Sequence, residues 1–122
     1  MINGHARAYT PEKTASYENL IAVEWRRQTH DFAFQAGIPL AIEITAHMSP
    51  PRSASRKIRE SMLANILRPM KKPDWDNVAK AVCDALNGIA YHDDAQIVFG
   101  SVVKVWGDRP RLEIKIAEVS HD

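Results

Sequence analysis

Residues 39–47 alternate, with Leu40, Ile42 and Ile44 on one side of a period of two. That pattern predicts a strand with one buried face. Two later stretches, about 96–106 and 111–119, read the same way, with Gly107-Asp108-Arg109-Pro110 as the hairpin turn between them. Helical spacing appears elsewhere. Thr10-Pro11-Glu12 reads as a helix start, with Thr as the cap, Pro in the first turn and an early acid. Tyr17, Ile21, Val23, Trp25 and Phe32 carry its apolar stripe to about Ala36, and Gly37 is its stop. The first ten residues read as irregular. Pro50-Pro51-Arg52-Ser53 breaks the chain, and Ser55 caps a short helix over about 56–67 with Ile58, Met62 and Leu63 on one side. Pro69 and Pro73 impose an extended connector. A further helix runs from Asp74 to Leu86 and stops at Asn87-Gly88. Helices segregated from strands predict an α+β fold in two layers, a mixed or antiparallel sheet with helices on one face.

Composition narrows the class. A chain of 122 residues with 45% hydrophobic and 25% charged residues is one globular domain, spanning 1–122. No apolar run approaches the roughly 20 residues needed to cross a bilayer. The start, Met1-Ile2-Asn3-Gly4-His5-Ala6-Arg7, has no apolar signal core. The expectation is a cytoplasmic protein with no membrane partner. With one cysteine, Cys83, no internal disulfide forms, and its neighbours Val82 and Leu86 make it a small buried helix residue.

The net charge of +1 conceals an uneven distribution. Arg52, Arg56, Lys57, Arg59, Arg68, Lys71 and Lys72 fall in one segment whose single acid is Glu60. Such a block suits phosphate binding, or is a solvated basic loop.

The acids that follow this block carry candidate chemistry. Pro73 keeps Lys72 out of the helical region and sets Asp74 at the helix start, where the dipole favours anions by about 0.3–1 kcal/mol. Asp76, Lys80 and Asp84 recur at four-residue intervals and share one helix face, while Val78, Val82, Ala85 and Leu86 point elsewhere. Asp93-Asp94 lies in the turn after Gly88, and a chain reversal there returns it towards the helix. Clustered carboxylates raise one another's pKa unless a cation joins them. With oxygen donors only, magnesium or manganese is favoured over zinc. Such an ion lowers the pKa of bound water and neutralises a phosphodiester. Lys80 then stabilises developing charge or orients the attacking water. The competing reading is structural: Asp74 and Asp76 as a capping pair, and Lys80 in an intrahelical ion pair worth about 0.3–0.5 kcal/mol. Tyr91 and His92 read as surface turn residues. Trp25, Trp75 and Trp106 read as core or interface residues rather than base-stacking platforms.

Lys72-Pro73-Asp74-Trp75-Asp76-Asn77, Lys80, Asp84-Ala85-Leu86-Asn87-Gly88 and Asp93-Asp94-Ala95-Gln96-Ile97-Val98 together closely resemble the RusA family of Holliday junction resolvases. Tyr9-Thr10-Pro11 and Tyr17-Glu18 look like that family's N-terminal helix entry. Lys57-Ile58-Arg59-Glu60-Ser61-Met62-Leu63 with Arg68-Pro69 looks like its basic linker. The resemblance implies a RusA-like fold and a homodimer that makes paired nicks in four-way DNA junctions with magnesium, manganese being an alternative. It implies Asp74, Asp76 and Asp94 as the essential, metal-binding acids, Lys80 as the essential lysine, and supporting roles for Asp84 and Asp93. The basic segment then supplies DNA contacts. The family opens with a strand, and so few residues precede Tyr9 that this strand is expected to be absent or very short. A DNA-binding dimer impaired in catalysis by its loss is the alternative.

Overall fold

The computed structural model describes residues 2–6 and 14–120, excepting the side chains of 2–6 and 14–16. Its elements run β1 (Ile2–Ala6), α1 (Thr14–Thr29), β2 (Leu40–Met48), α2 (Arg56–Leu63), α3 (Trp75–Leu86), a 3₁₀ turn (Asp94–Gln96), β3 (Ile97–Trp106) and β4 (Arg111–Glu118). The four strands form one mixed sheet in the order β1-β4-β2-β3. The α+β class and the mixed sheet are as expected.

The predicted β3–β4 hairpin does not form. β2 lies between them, parallel to β3 and antiparallel to β4. Residues 107–110 instead bridge the end of β2, where the Gly107 N–H donates to the Met48 carbonyl at 2.8 Å. Spanning two strand spacings requires about 10 Å, within reach of four extended residues. β2 takes a central place, where its alternate positions Leu40, Ile42, Ile44, Ala46 and Met48 are buried.

Expectation also fails at the N-terminus. Residues 2–6 are not irregular: they form β1, which pairs antiparallel with β4 from Ile2↔Ile116 to Ala6↔Leu112. The opening strand is therefore present and five residues long, which removes the premise of a chain impaired by its loss.

The registers place Ile42, Ile44 and Ala46 beside Ile116, Ile114 and Leu112 of β4, and beside Gly100, Val102 and Lys104 of β3. This face packs against Ile21 and Trp25 of α1 and Val78, Val82, Ala85 and Leu86 of α3, all within one core. Each large aliphatic side chain buried there contributes about 1.5–3 kcal/mol. No helix of these elements covers the opposite face.

The helix ends depart from expectation for a local reason. The predicted start of α1 at Thr10-Pro11-Glu12 lies outside the described residues. Its end comes at Thr29, ahead of Gly37, because His30 and Asp31 adopt left-handed backbone (φ 55° and 62°). The Asp31 N–H then returns to the Arg26 carbonyl at 2.9 Å, a closure that His and Asp allow as well as Gly. α2 starts as expected, with the Ser55 hydroxyl accepting from the Ile58 N–H at 3.2 Å. It ends at Leu63 rather than 67, where Asn65 is left-handed and the Asn65 and Ile66 N–H groups return to Met62 and Ser61 carbonyls. None of the α2 residues is buried, so this helix stands off the core.

Candidate functional site

α3 begins where Pro73 predicts. Asp74 is its extended N-cap residue, and its carbonyl accepts from the Val78 N–H at 3.0 Å. Its carboxylate, however, caps nothing and instead meets the Lys72 ammonium at 2.8 Å. Asp76 follows in the first turn. Asp76, Lys80 and Asp84 are all exposed on α3. Among the described residues Lys80 forms no ion pair with either acid, so the intrahelical pairing weighed above is not realised.

The chain then folds back on α3. Asn87 is the extended C-cap, Gly88 takes a φ of 76° that a side chain would strain, and the Gly88 N–H donates to the Tyr91 carbonyl at 2.9 Å. Tyr91 corrects the surface-turn reading: it is buried in the core, and its hydroxyl donates to the Cys83 carbonyl at 2.8 Å. Burial pushes its pKa far above the ordinary phenol value. His92 is exposed, as expected, and Cys83 is half-buried with its thiol pushed up by burial.

This reversal brings Asp93 and Asp94 beside the last turns of α3 and gives them opposite characters. Asp93 caps the 3₁₀ turn, accepting from the Ala95 N–H at 3.0 Å, and that bond holds its pKa below the usual carboxylate value. Asp94 is pushed up, first by desolvation and then by Asp93 and Asp84. A carboxylate so placed gains from a nearby cation.

The structure therefore holds two acidic groups along α3. Asp74 and Asp76 lie at its start, Asp84 and Asp94 near its end, with Lys80 between. Asp76 and Asp84 are eight residues apart, about 12 Å along the axis. Among the described residues no three His, Cys, Asp or Glu side chains come close enough to hold a metal ion. Asp74, Asp76 and Asp94 are thus not gathered into one three-carboxylate centre within a single chain.

The basic segment leads into the start of this face through Lys71 and Lys72. Arg52, Arg56, Lys57, Arg68, Lys71 and Lys72 are exposed, and Arg59 is half-buried. Arg59 donates to the Pro51 carbonyl at 3.3 Å, and Arg56 meets Glu60 at 3.5 Å. The connector from α2 to α3 runs along the outer edge of β3. Asn65 accepts from the Trp106 N–H, Lys104 donates to the Lys71 carbonyl at 2.7 Å, and Lys71 stands 5.5 Å over the Trp106 ring. Trp106 and Trp25 are buried, as expected. Trp75 is 55% exposed, its indole N–H donating to the Val102 carbonyl at 2.7 Å. Sequence reasoning missed Lys104, whose place beside the segment comes from β3 being an edge. It also missed Ile66 and Met70, which stand exposed among the basic residues.

No helix among the described residues is long and apolar enough to cross a membrane. The family model described as "Endodeoxyribonuclease RusA" matches residues 2–117. The chain is 32% identical over 118 residues to "Uncharacterized protein YqaN" of Bacillus subtilis (strain 168), covering 97% of this chain and 83% of that protein. The family match runs from β1 into β4, including the whole acidic face of α3 and the basic segment. The chain belongs to the RusA endodeoxyribonuclease family, a family of Holliday junction endonucleases.

Proposed function

We propose that this chain is a magnesium-dependent endonuclease that resolves four-way DNA junctions as a homodimer by paired nicks. The observation that carries the reading is the exposed Asp76–Lys80–Asp84 face, in which Lys80 has no ion pair among the described residues. Asp74, released from capping, stands at one end, and Asp94, its pKa pushed up beside Asp93 and Asp84, at the other.

The carboxylates suit magnesium without forming a cage. Magnesium is usually held by one or two carboxylates, with substrate phosphates and waters completing the octahedron. Asp74 and Asp76, or Asp94 beside Asp84, are the pairs that would hold it, and manganese fits the same donors. Bound there, the ion would lower the pKa of a water and neutralise charge on the scissile phosphate. Lys80, without an ion pair among the described residues, would offer its ammonium to the same phosphate. Arg52, Arg56, Lys57, Arg59, Arg68, Lys71 and Lys72 would contact the backbone charge of the arms, so binding should weaken steeply with salt. At low salt the purified chain should bind and nick a four-way junction in preference to a linear duplex of the same sequence. Equal cleavage of both would remove the junction reading and leave a general nuclease.

The dimer reading rests on β3. Phe99 and Val103 lie on the sheet face away from the core, 70% and 42% exposed, and Val98 stands exposed beside them at the register shift that opens the strand. A two-fold partner on this strip would cover it and set two identical sites on one junction for opposed cuts. Phe99→Asp is expected to give a folded monomer by light scattering, with paired nicking replaced by slow single nicks. A variant that stays dimeric would place the interface elsewhere.

A further inference from the structure

Gln96 stands at the entry to β3 with every hydrogen-bonding position of its amide filled. Its Oε1 accepts from the His92 N–H at 3.0 Å and the Asp93 N–H at 3.1 Å. Its Nε2 donates to the Gln35 carbonyl at 2.9 Å and the Ile38 carbonyl at 3.0 Å. Reversing the amide would set like groups against each other at all four contacts, so its orientation is determined. One side chain thus ties the loop carrying Asp93 and Asp94 to the segment leading into β2, some 60 residues away in sequence. A second tie comes from the other side. Asn87, the C-cap of α3, accepts from the Asp94 N–H through Oδ1 at 2.9 Å.

We infer that Gln96 and Asn87 are positioning residues, which together hold the Asp94 carboxylate at a set place beside the α3 face. The inference rests on the reading of Asp94 as a site acid. Asp94 is exposed and sits on a short loop, so its own packing does little to locate it. Asn87 references it to the helix that carries Lys80 and Asp84, and Gln96 references it to the sheet. Groups that orient a reacting carboxylate are worth about 10–100-fold in activity or metal affinity when removed.

The test compares Gln96→Met, Gln96→Glu and Asn87→Ala with the parent chain and with Asp94→Asn. Gln96→Met keeps the length of the side chain and loses all four bonds. It is expected to bind a four-way junction within about twofold of the parent while single-turnover cleavage falls about 10–100-fold and the magnesium midpoint rises. Amide hydrogen exchange, read without metal or DNA, should show lost protection at His92 and Asp93 in Gln96→Met and at Asp94 in Asn87→Ala. Gln96→Glu keeps the two acceptor contacts but sets a carboxylate oxygen against the Gln35 and Ile38 carbonyls, so its cleavage should fall at least as far as in Gln96→Met while amide protection at His92 and Asp93 is kept. It carries the cleavage test if Gln96→Met does not fold. Unchanged amide protection in Gln96→Met and Asn87→Ala, or full cleavage by the folded variants while Asp94→Asn is inactive, would overturn the inference alone. A loss of cleavage that only tracks lost junction affinity and melting temperature would also overturn it, as a structural role. Parent-like cleavage by Asp94→Asn would remove the reading beneath it.

Discussion

Asp76→Asn is expected to bind a four-way junction as the parent does and to cleave it about a hundredfold more slowly or less. The substitution keeps shape and removes charge. Asp76 is exposed in the first turn of α3 and is outside the core, so its folding cost is limited to a dipole interaction of about 0.3–1 kcal/mol. A large loss of cleavage therefore cannot come from a lost fold. Gel-shift affinity, thermal melting and single-turnover cleavage, measured on the same preparation, separate these contributions. Weakened binding with cleavage of bound junction unchanged would make Asp76 a binding residue. Parent-like behaviour in all three would return it to the role of a solvated helix-start acid.

Lys80→Ala should lose about 10²–10³ in the rate of the bound complex, the range for removing one charge-stabilising donor from a reacting centre. Its stability should change by less than about 0.5 kcal/mol. The reasoning is again local. Lys80 is exposed at the middle of α3 and has no ion pair to lose among the described residues, and Ala is a better helix former than Lys. A lysine kept only for α3 stability would show the reverse pattern, a lower melting temperature with cleavage intact. Loss of junction affinity in proportion to cleavage would move Lys80 into the phosphate-contacting set with Lys71 and Lys72.

Much of the frame that positions these residues is legible in the chain. β2 shows itself because Leu40, Ile42 and Ile44 repeat with period two, and α3 because Pro73 starts it, Gly88 ends it and Val78, Val82, Ala85 and Leu86 form its stripe. What stays hidden is what periodicity does not encode. Period two says which way side chains face and leaves strand neighbours open, so the insertion of β2 between β3 and β4 was illegible. Left-handed His30 and Asn65 close helices without the glycine that a sequence reader looks for.

At the site, the shared α3 face of Asp76, Lys80 and Asp84 follows from spacing alone. The 12 Å or so that separates its two acidic ends follows from the same geometry, but only the fold shows Asp94 docking at the far one. Two adjacent acids, Asp93 and Asp94, look alike in sequence. Their difference arises because Gln96 and the Ala95 N–H claim the first as a cap and leave the second beside Asp84. Tyr91 was hidden for a related reason: a turn tyrosine is buried only if the chain returns over α3, and that return depends on Gly88 and Asn87.

The most direct measurement is strand-mapped cleavage of a synthetic four-way junction by the purified chain, with magnesium, with manganese and with chelator. The expected result is a pair of nicks placed symmetrically across the junction, made with either metal and abolished by chelation. A folded, junction-bound chain that leaves every strand intact in both metals, or that nicks equally well in chelator, would contradict the assignment of the α3 carboxylate face as a metal-dependent resolving centre.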